Sequence, residues 1–344
     1  MKKLFPSTIA AMASVAATAL LALSCNRAPE WRIAEGAIWH TTYRIAYLSG
    51  TNLEDSILHT MLSVEQSLSP FTPSSRISRI NRNETDSTDS LIDTIFSISQ
   101  HVSAISGGRF DPTVSPLVNL WGFGYDRKAR QQIEQDNGSS FRIDREAIDS
   151  ALMLVGIADC RILNGHITKK HPATTFNFSS VTKGFACDMV SSMLKRNSAD
   201  NHMVEIGGEI TISGHNPQGK DWRIQIDAPV GTSATAHTPL RIISPPRGGV
   251  ATSGNYRNYH ETALYGRVGH TIDPTTGMPV RTTVASATVT APTCALADAL
   301  ATACMASDPG QALAIINSVP QAECLLVISY GDSLQTVTTP GFPP

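Results

Sequence analysis

Apolar residues at Ile57, Met61, Val64 and Leu68 recur at i, i+4, i+7 and i+11, the stripe of an amphipathic helix. Asn52 stands ahead of it as a cap, and Glu54 and Asp55 fall in its first turn. Residues 90–106 carry a second stripe through Leu91, Ile92, Ile95, Phe96, Val102 and Ile105, stopped by Gly107-Gly108. Residues 183–196 predict a third helix, with Phe185, Val190, Met193 and Leu194 inward. Strand patterns occupy residues 42–48, 203–206, 209–213, 222–227, 240–244, 286–290 and 324–329, and Asn164-Gly165 turns a hairpin between 161–163 and 167–169. Helices and mostly antiparallel strands alternate irregularly, which predicts an α+β fold of antiparallel sheets packed with helices. Residues 126–141 and 231–239 read as polar loops, and no repeat or long linker divides the chain.

The first residues set the compartment. Lys2-Lys3 precede an uninterrupted apolar run of small residues at 9–23, shorter than the roughly 20 residues a membrane-spanning helix needs. That combination predicts a secretory leader over residues 1–24. Cys25 stands where a bacterial lipoprotein carries its lipid-modified cysteine, so residues 25–38 are expected to tether a domain of residues 39–344 to a membrane, facing the periplasm. Ala22-Leu23-Ser24 departs from the commonest lipoprotein signal, which has Leu three before the Cys. Cleavage near Ser24 with Cys25 left free is the alternative.

Twenty-seven basic and 29 acidic side chains give a net charge of −2, and losing the leader takes it to −4. With no basic run anywhere, a nucleic-acid partner is excluded. Besides Cys25, five cysteines remain, an odd number without CxxC spacing, and are expected to be small buried apolar side chains.

Chemistry concentrates in three glycine-punctuated segments. Phe110-Asp111-Pro112 follows Gly107-Gly108 and leads to Trp121-Gly122-Phe123; Asp111 either caps a turn or meets a flat ligand lying on the loop. Asn177-Phe178-Ser179-Ser180 opens a helix whose free N–H groups and dipole favour a phosphate, to which Lys183 would add a charge. The third segment holds Ser253-Gly254-Asn255-Tyr256-Arg257, His270 and Asp298. On a helix Asp298 and Thr302 share one face, so a carboxylate and a hydroxyl can reach one hard cation such as Mg²⁺. Alternatively, Asp298 caps that helix and Thr302 bonds back to a carbonyl.

From Trp39 to Ala303 the chain resembles the ApbE family of flavin transferases. The resemblance rests on Ser75-Arg76-Ile77-Ser78-Arg79-Ile80-Asn81, Phe110-Asp111-Pro112-Thr113-Val114, Lys183-Gly184, Ile206-Gly207-Gly208-Glu209, Ala251-Thr252-Ser253-Gly254, His270 with Ile272-Asp273-Pro274, and Ala297-Asp298-Ala299-Leu300-Ala301-Thr302, all in order. It implies a T-fold-related architecture and Mg²⁺-dependent transfer of the FMN half of FAD to a Ser or Thr hydroxyl of an acceptor flavoprotein, with AMP released. The implied acceptors are FMN-bearing subunits of redox-driven ion pumps or other exported flavoproteins. In that reading Asp298, Thr302 and a carbonyl near Ser180 ligate Mg²⁺, and His270 is the base. The FAD cleft is lined by Trp39, Phe71, Phe110, Asp111, Asn177, Lys183, Glu205, Ser253, Tyr256, Arg257 and His270. Two departures stand out: Trp39-His40 replaces Met-Gly, and Asn177-Phe178-Ser179-Ser180 replaces Asp-Leu-Gly-Gly. Competing readings are an exported FAD pyrophosphatase, an FAD-binding lipoprotein without chemistry, and a serine hydrolase using Ser253, which lacks the GxSxG elbow.

Overall fold

Along the strand Glu323–Tyr330, Cys324, Leu326 and Ile328 point into one apolar layer while Leu325 and Val327 point into another. That two-sided burial defines the centre of the molecule. The computed structural model describes residues 28–124, 128–229, 238–245, 247–254, 259–331 and 333–344. Among them, eight strands form one wholly antiparallel sheet. With strands numbered along the chain, its order is β1 (Glu30–Ile38), β2 (Thr41–Ser49), β5 (His202–Ile206), β6 (Glu209–Ser213), β9 (Gly248–Gly254), β12 (Val284–Ala291), β13 (Glu323–Tyr330) and β14 (Ser333–Thr338). One face packs on helices α1 (Glu54–Leu68), α3 (Ser90–Ile105), α7 (Ser179–Arg196), α8 (Cys294–Met305) and α9 (Pro309–Asn317). The other is covered by the ribbon β7 (Ile224–Asp227) and β8 (Pro239–Ile243), with Trp222 and Phe342. The α+β expectation holds.

A smaller apolar cluster gathers Leu117, Trp121, Ile133, Phe141, Ile148, Val268 and Ile272. It joins α4 (Ser115–Leu120), α5 (Lys128–Asp136) and α6 (Arg145–Leu152) to the hairpin β10 (Tyr259–Thr262) and β11 (Gly266–Gly269). Trp121 Nε1 donates to the Gly277 carbonyl at 2.8 Å, so this lobe fixes the turn that follows His270.

Two expectations are corrected. Residues 30–38 are no tether: they form β1, paired residue for residue with β2. Their mostly exposed side chains hide the strand, because an edge strand buries little on either face. Residues 128–136 are helical rather than loop, held by the one buried apolar side chain Ile133. Cys25 and the leader lie outside the described residues, as do Tyr256 and Arg257 and residues 231–237 of the second expected loop. The five described cysteines are free and buried, as expected.

The helix α7 is tied to the sheet by a buried neutral histidine. His202 Nδ1 donates to the Ala199 carbonyl at 2.7 Å and Nε2 accepts from the Ser191 hydroxyl at 2.8 Å. Burial pushes its pKa down to about 4 from 6.5, with nearby Lys195 acting in the same direction. Above the unfolded pKa both states are neutral; below it the unfolded chain takes a proton that the folded one refuses. Stability should therefore fall as pH drops from 6.5 toward 4, by on the order of 3 kcal/mol. Denaturant midpoints measured across that range should show a shallower loss in His202→Gln; equal slopes would contradict the assignment.

Candidate active site

Helices α7 and α8 cross where Gly184 meets Cys294. A Cβ on Gly184 would lie 2.4 Å from the Cys294 carbonyl oxygen and 2.9 Å from Asp298 Cβ, so only glycine permits this approach. The crossing places Lys183 beside Asp298, and the Gly184 N–H donates to Asp298 Oδ2 at 3.1 Å. Asp298 is thus a mid-helix residue, 3% exposed; the α8 N-cap is Thr293, whose hydroxyl oxygen accepts from Leu296 N. The alternative of Asp298 as a cap fails. Thr302 sits one turn on, and among the described residues its hydroxyl has no hydrogen-bond partner, so it does not bond back to a carbonyl either.

The carboxylate beside Lys183 is one that sequence reasoning did not assign. Lys183 Nζ makes an ion pair with Glu209 Oε2, Glu209 being 4% exposed and Lys183 34%. The turn Gly207-Gly208, both at positive φ, reverses the chain so that Ile206 and Glu209 face each other and share the helix-facing side of the sheet. Glu205, one residue from Ile206, points to the opposite side and lines no part of the cleft. Where Glu205 is expected in the cleft, Glu209 stands instead. The signal was available: strand alternation through the double glycine fixes which glutamate faces inward.

Charge on this floor is unbalanced. Burial holds the Asp298 carboxyl well above its ordinary pKa, and repulsion from Glu209 adds to this against the pull of Lys183 and the Gly184 N–H. Glu209 is raised likewise by burial, partly offset by Lys183. Burial alone would lower the Lys183 pKa, but Glu209 and Asp298 outweigh it and hold it above the ordinary lysine value. Two carboxylates share one ammonium, so the floor is balanced by uptake of a proton or by a further cation.

Above this floor lies a cleft of about 440 Å³. Its walls bring together Phe110, Asp111, Asn177, Ser180, Lys183, Glu209, Ser253, His270, Asp298 and Thr302, drawn from both lobes. His270 follows β11 and packs edge-to-face on Phe123 at 6.3 Å. Arg109 bonds Asp273 Oδ2 at 2.8 Å and so ties the Phe110 turn to the turn after His270. Asp111 lines the cleft but its carboxylate is committed to structure. It accepts from Thr113 N at 2.8 Å, from the Thr113 hydroxyl and from Ile157 N at 3.0 Å. Asn177 Oδ1 accepts from Ser179 N at 3.0 Å in a local turn leading into α7, whose N-cap position is Phe178 and carries no side-chain cap. Ser253 lies in strand β9, not on a strand-to-helix elbow, which removes the hydrolase reading's geometry.

A second cavity of about 570 Å³ adjoins the first at Ser179 and Lys183 and is lined by Trp39, Glu65, Pro70 and Phe71. Phe71 is 66% exposed. Trp39 and His40 are the two central residues of the β1–β2 turn and both have positive φ, 51° and 62°. Bulky residues there are strained, and such strain is retained where a side chain is needed in place. Trp39 is aimed over the cavity with its Nε1 donating to Glu65 at 3.2 Å.

The ApbE family signature matches residues 36–326. The chain belongs to the ApbE family. It is 32% identical over 339 residues to the FAD:protein FMN transferase of Vibrio cholerae serotype O1, covering 95% of this chain and 96% of that one. It is 31% identical over 341 residues to the FAD:protein FMN transferase of Haemophilus influenzae, covering 95% and 94%. Among solved structures, the flavin transferase ApbE from Vibrio cholerae superposes with a TM-score of 0.77 at 29% identity, covering 91% of this chain and 98% of that chain. The apo flavinyl transferase ApbE of Pseudomonas stutzeri gives 0.77 at 27% identity, covering 91% and 95%. The fold of this ApbE-family chain is therefore that of flavin transferases along nearly its whole length.

Proposed function

We propose that this chain transfers the FMN half of FAD to a Ser or Thr hydroxyl of an exported acceptor protein, releasing AMP. The observation that carries the reading is the single cleft in which a buried carboxylate pair, a lysine, a helix N-terminus and a histidine meet beside an aromatic-lined cavity. Trp39 and Phe71 offer stacking area to a flat ring. Lys183 supplies a positive charge for a pyrophosphate; at the α7 start the Ser179, Val181 and Thr182 N–H groups are already bonded, to Asn177 Oδ1 and the Phe178 carbonyl.

The residues also fit Mg²⁺. Among the described residues no three His, Cys, Asp or Glu side chains converge, so no cage holds a cation unaided. Asp298, the unpartnered Thr302 hydroxyl and the Ser180 carbonyl would supply part of an octahedral oxygen shell and leave places for phosphate and water. When bound, Mg²⁺ supplies charge neutralisation at the pyrophosphate. The acceptor oxygen forms a bond to the flavin-side phosphorus, the bridging P–O bond breaks, and AMP leaves with its electron pair. His270 receives the hydroxyl proton.

His270→Ala should keep FAD affinity and slow transfer by about 10²-fold or more. Stopped-flow or quench measurement at saturating FAD checks this, and full activity would move the base elsewhere. The reaction itself is tested by assaying AMP against flavin-bound acceptor. Equal amounts are expected; AMP formed at the same rate without acceptor would make the chain an FAD pyrophosphatase.

Cys25 carries the proposed lipid anchor, supported by the apolar leader that precedes it. Fractionation of cells expressing Cys25→Ser should find the exported protein released from the membrane; unchanged association would end the anchor proposal.

A further inference from the structure

Asp188 lies half-buried one turn beyond Gly184 on α7, and its carboxylate does not line the cleft. Oδ1 accepts from Cys294 N at 3.0 Å and Oδ2 from Ala295 N at 2.9 Å, while the Thr211 hydroxyl on β6 donates to Oδ1 at 2.9 Å. Those two amides are the first of α8. The next, Leu296 N, is taken by the Thr293 hydroxyl, and Ala297 N makes the first bond back to the Thr293 carbonyl. Of the donors that a helix start leaves open, Cys294 N, Ala295 N and Leu296 N are thus all held by side chains, the first two by a side chain from another helix.

We propose that Asp188 is the positioning residue that sets the register of α7 against α8, and with it the spacing between Ser180 and Lys183 on one helix and Asp298 and Thr302 on the other. The geometry is a two-rung ladder. At one rung Gly184 N donates to Asp298 Oδ2, and one turn along, Asp188 receives the amides at the α8 start. Gly184 supplies the close approach, but a glycine contact permits sliding along the partner helix; a carboxylate with fixed directions to two amides and a sheet hydroxyl does not. Oxygen ligands contributed by two helices need their spacing fixed to within a fraction of an ångström, which packing alone supplies poorly. The inference rests on the Mg²⁺-dependent reading above.

The test is Mg²⁺ titration of the FAD-loaded protein, read by the rise in Tm and by flavin fluorescence, with transfer rate measured in parallel. Asp188→Asn keeps one acceptor oxygen and turns an NH₂ toward an amide. It should raise the half-saturating Mg²⁺ concentration by about tenfold or more while FAD affinity in EDTA is unchanged. Thr293→Val removes the other side-chain cap of the same helix start without touching α7. It should lower Tm but leave the Mg²⁺ half-saturation at the wild-type value. An unshifted Asp188→Asn, or a Thr293→Val shift of the same size, overturns the proposal, because Asp188 would then be one cap among others. Should Asp188→Asn not fold, Thr211→Val decides: it loosens the carboxylate by one donor and should raise half-saturation by about threefold, a wild-type value contradicting the proposal. A wild type with FMN transfer but no Mg²⁺ response overturns this proposal and the metal site while the transferase reading stands; no transfer at all overturns that reading.

Discussion

Asp298→Asn should fold, melt at or above the wild-type temperature, and lose nearly all FMN transfer together with its dependence on Mg²⁺. The two halves of that expectation have one cause. In the free protein Asp298 is buried beside Glu209, and burial and that repulsion hold its pKa well above the ordinary carboxylate value. A carboxyl whose pKa is raised on folding favours the folded state at low pH and opposes it as pH rises, so an uncharged amide of the same shape removes a cost at neutral pH. Asn can still accept from Gly184 N through Oδ1. What it cannot do is bring a full negative charge to a cation. In the wild type Mg²⁺ and FAD should raise each other's affinity by the same factor, since each completes the site of the other. That linkage should vanish in the variant. Calorimetric Mg²⁺ titrations with and without FAD read it directly; a variant that retains linkage and transfer would remove Asp298 from the site.

Lys183→Met should do the reverse and damage stability first. It leaves Glu209, 4% exposed, and Asp298 facing each other without the ammonium that balances them. Removing one partner of a fully buried pair costs about 3–5 kcal/mol, and since Lys183 opens onto the cleft the expected loss here is about 2 kcal/mol. The loss should shrink as pH falls, because both carboxyls already have raised pKa values and take up protons. Adding Glu209→Gln should restore most of the stability but not the transfer, as the charge meeting the pyrophosphate stays absent. Denaturant unfolding of the single and double variants checks this, and additive effects would show that the ion pair is not the cause.

What the sequence made legible follows from burial. The helices α1, α3 and α7 bury one stripe each, and their apolar spacing is plain. Strand β13 is a nearly continuous apolar run because both of its faces are covered. The edge strands β1 and β14 bury almost nothing and carry no periodic signal, so in sequence β1 resembles a tether and β14 shows no strand pattern. In the site, the i, i+4 pair Asp298 and Thr302 was visible from helical geometry alone. The partnership of Lys183 with Glu209 required knowing that two glycines reverse the chain, and the role of Gly184 exists only in the contact with Cys294. For Asp111 the sequence leaves a turn and a ligand contact open; the residue lines the cleft while its carboxylate oxygens accept from Thr113 and Ile157.

The most direct test is intact-mass spectrometry of an acceptor domain incubated with this protein, FAD and Mg²⁺. The account predicts the gain of one FMN less one water per acceptor, mapped to a single Ser or Thr, and no gain with Asp298→Asn or with EDTA. An acceptor of unchanged mass, while FAD is bound or is cleaved to free FMN and AMP, would contradict it.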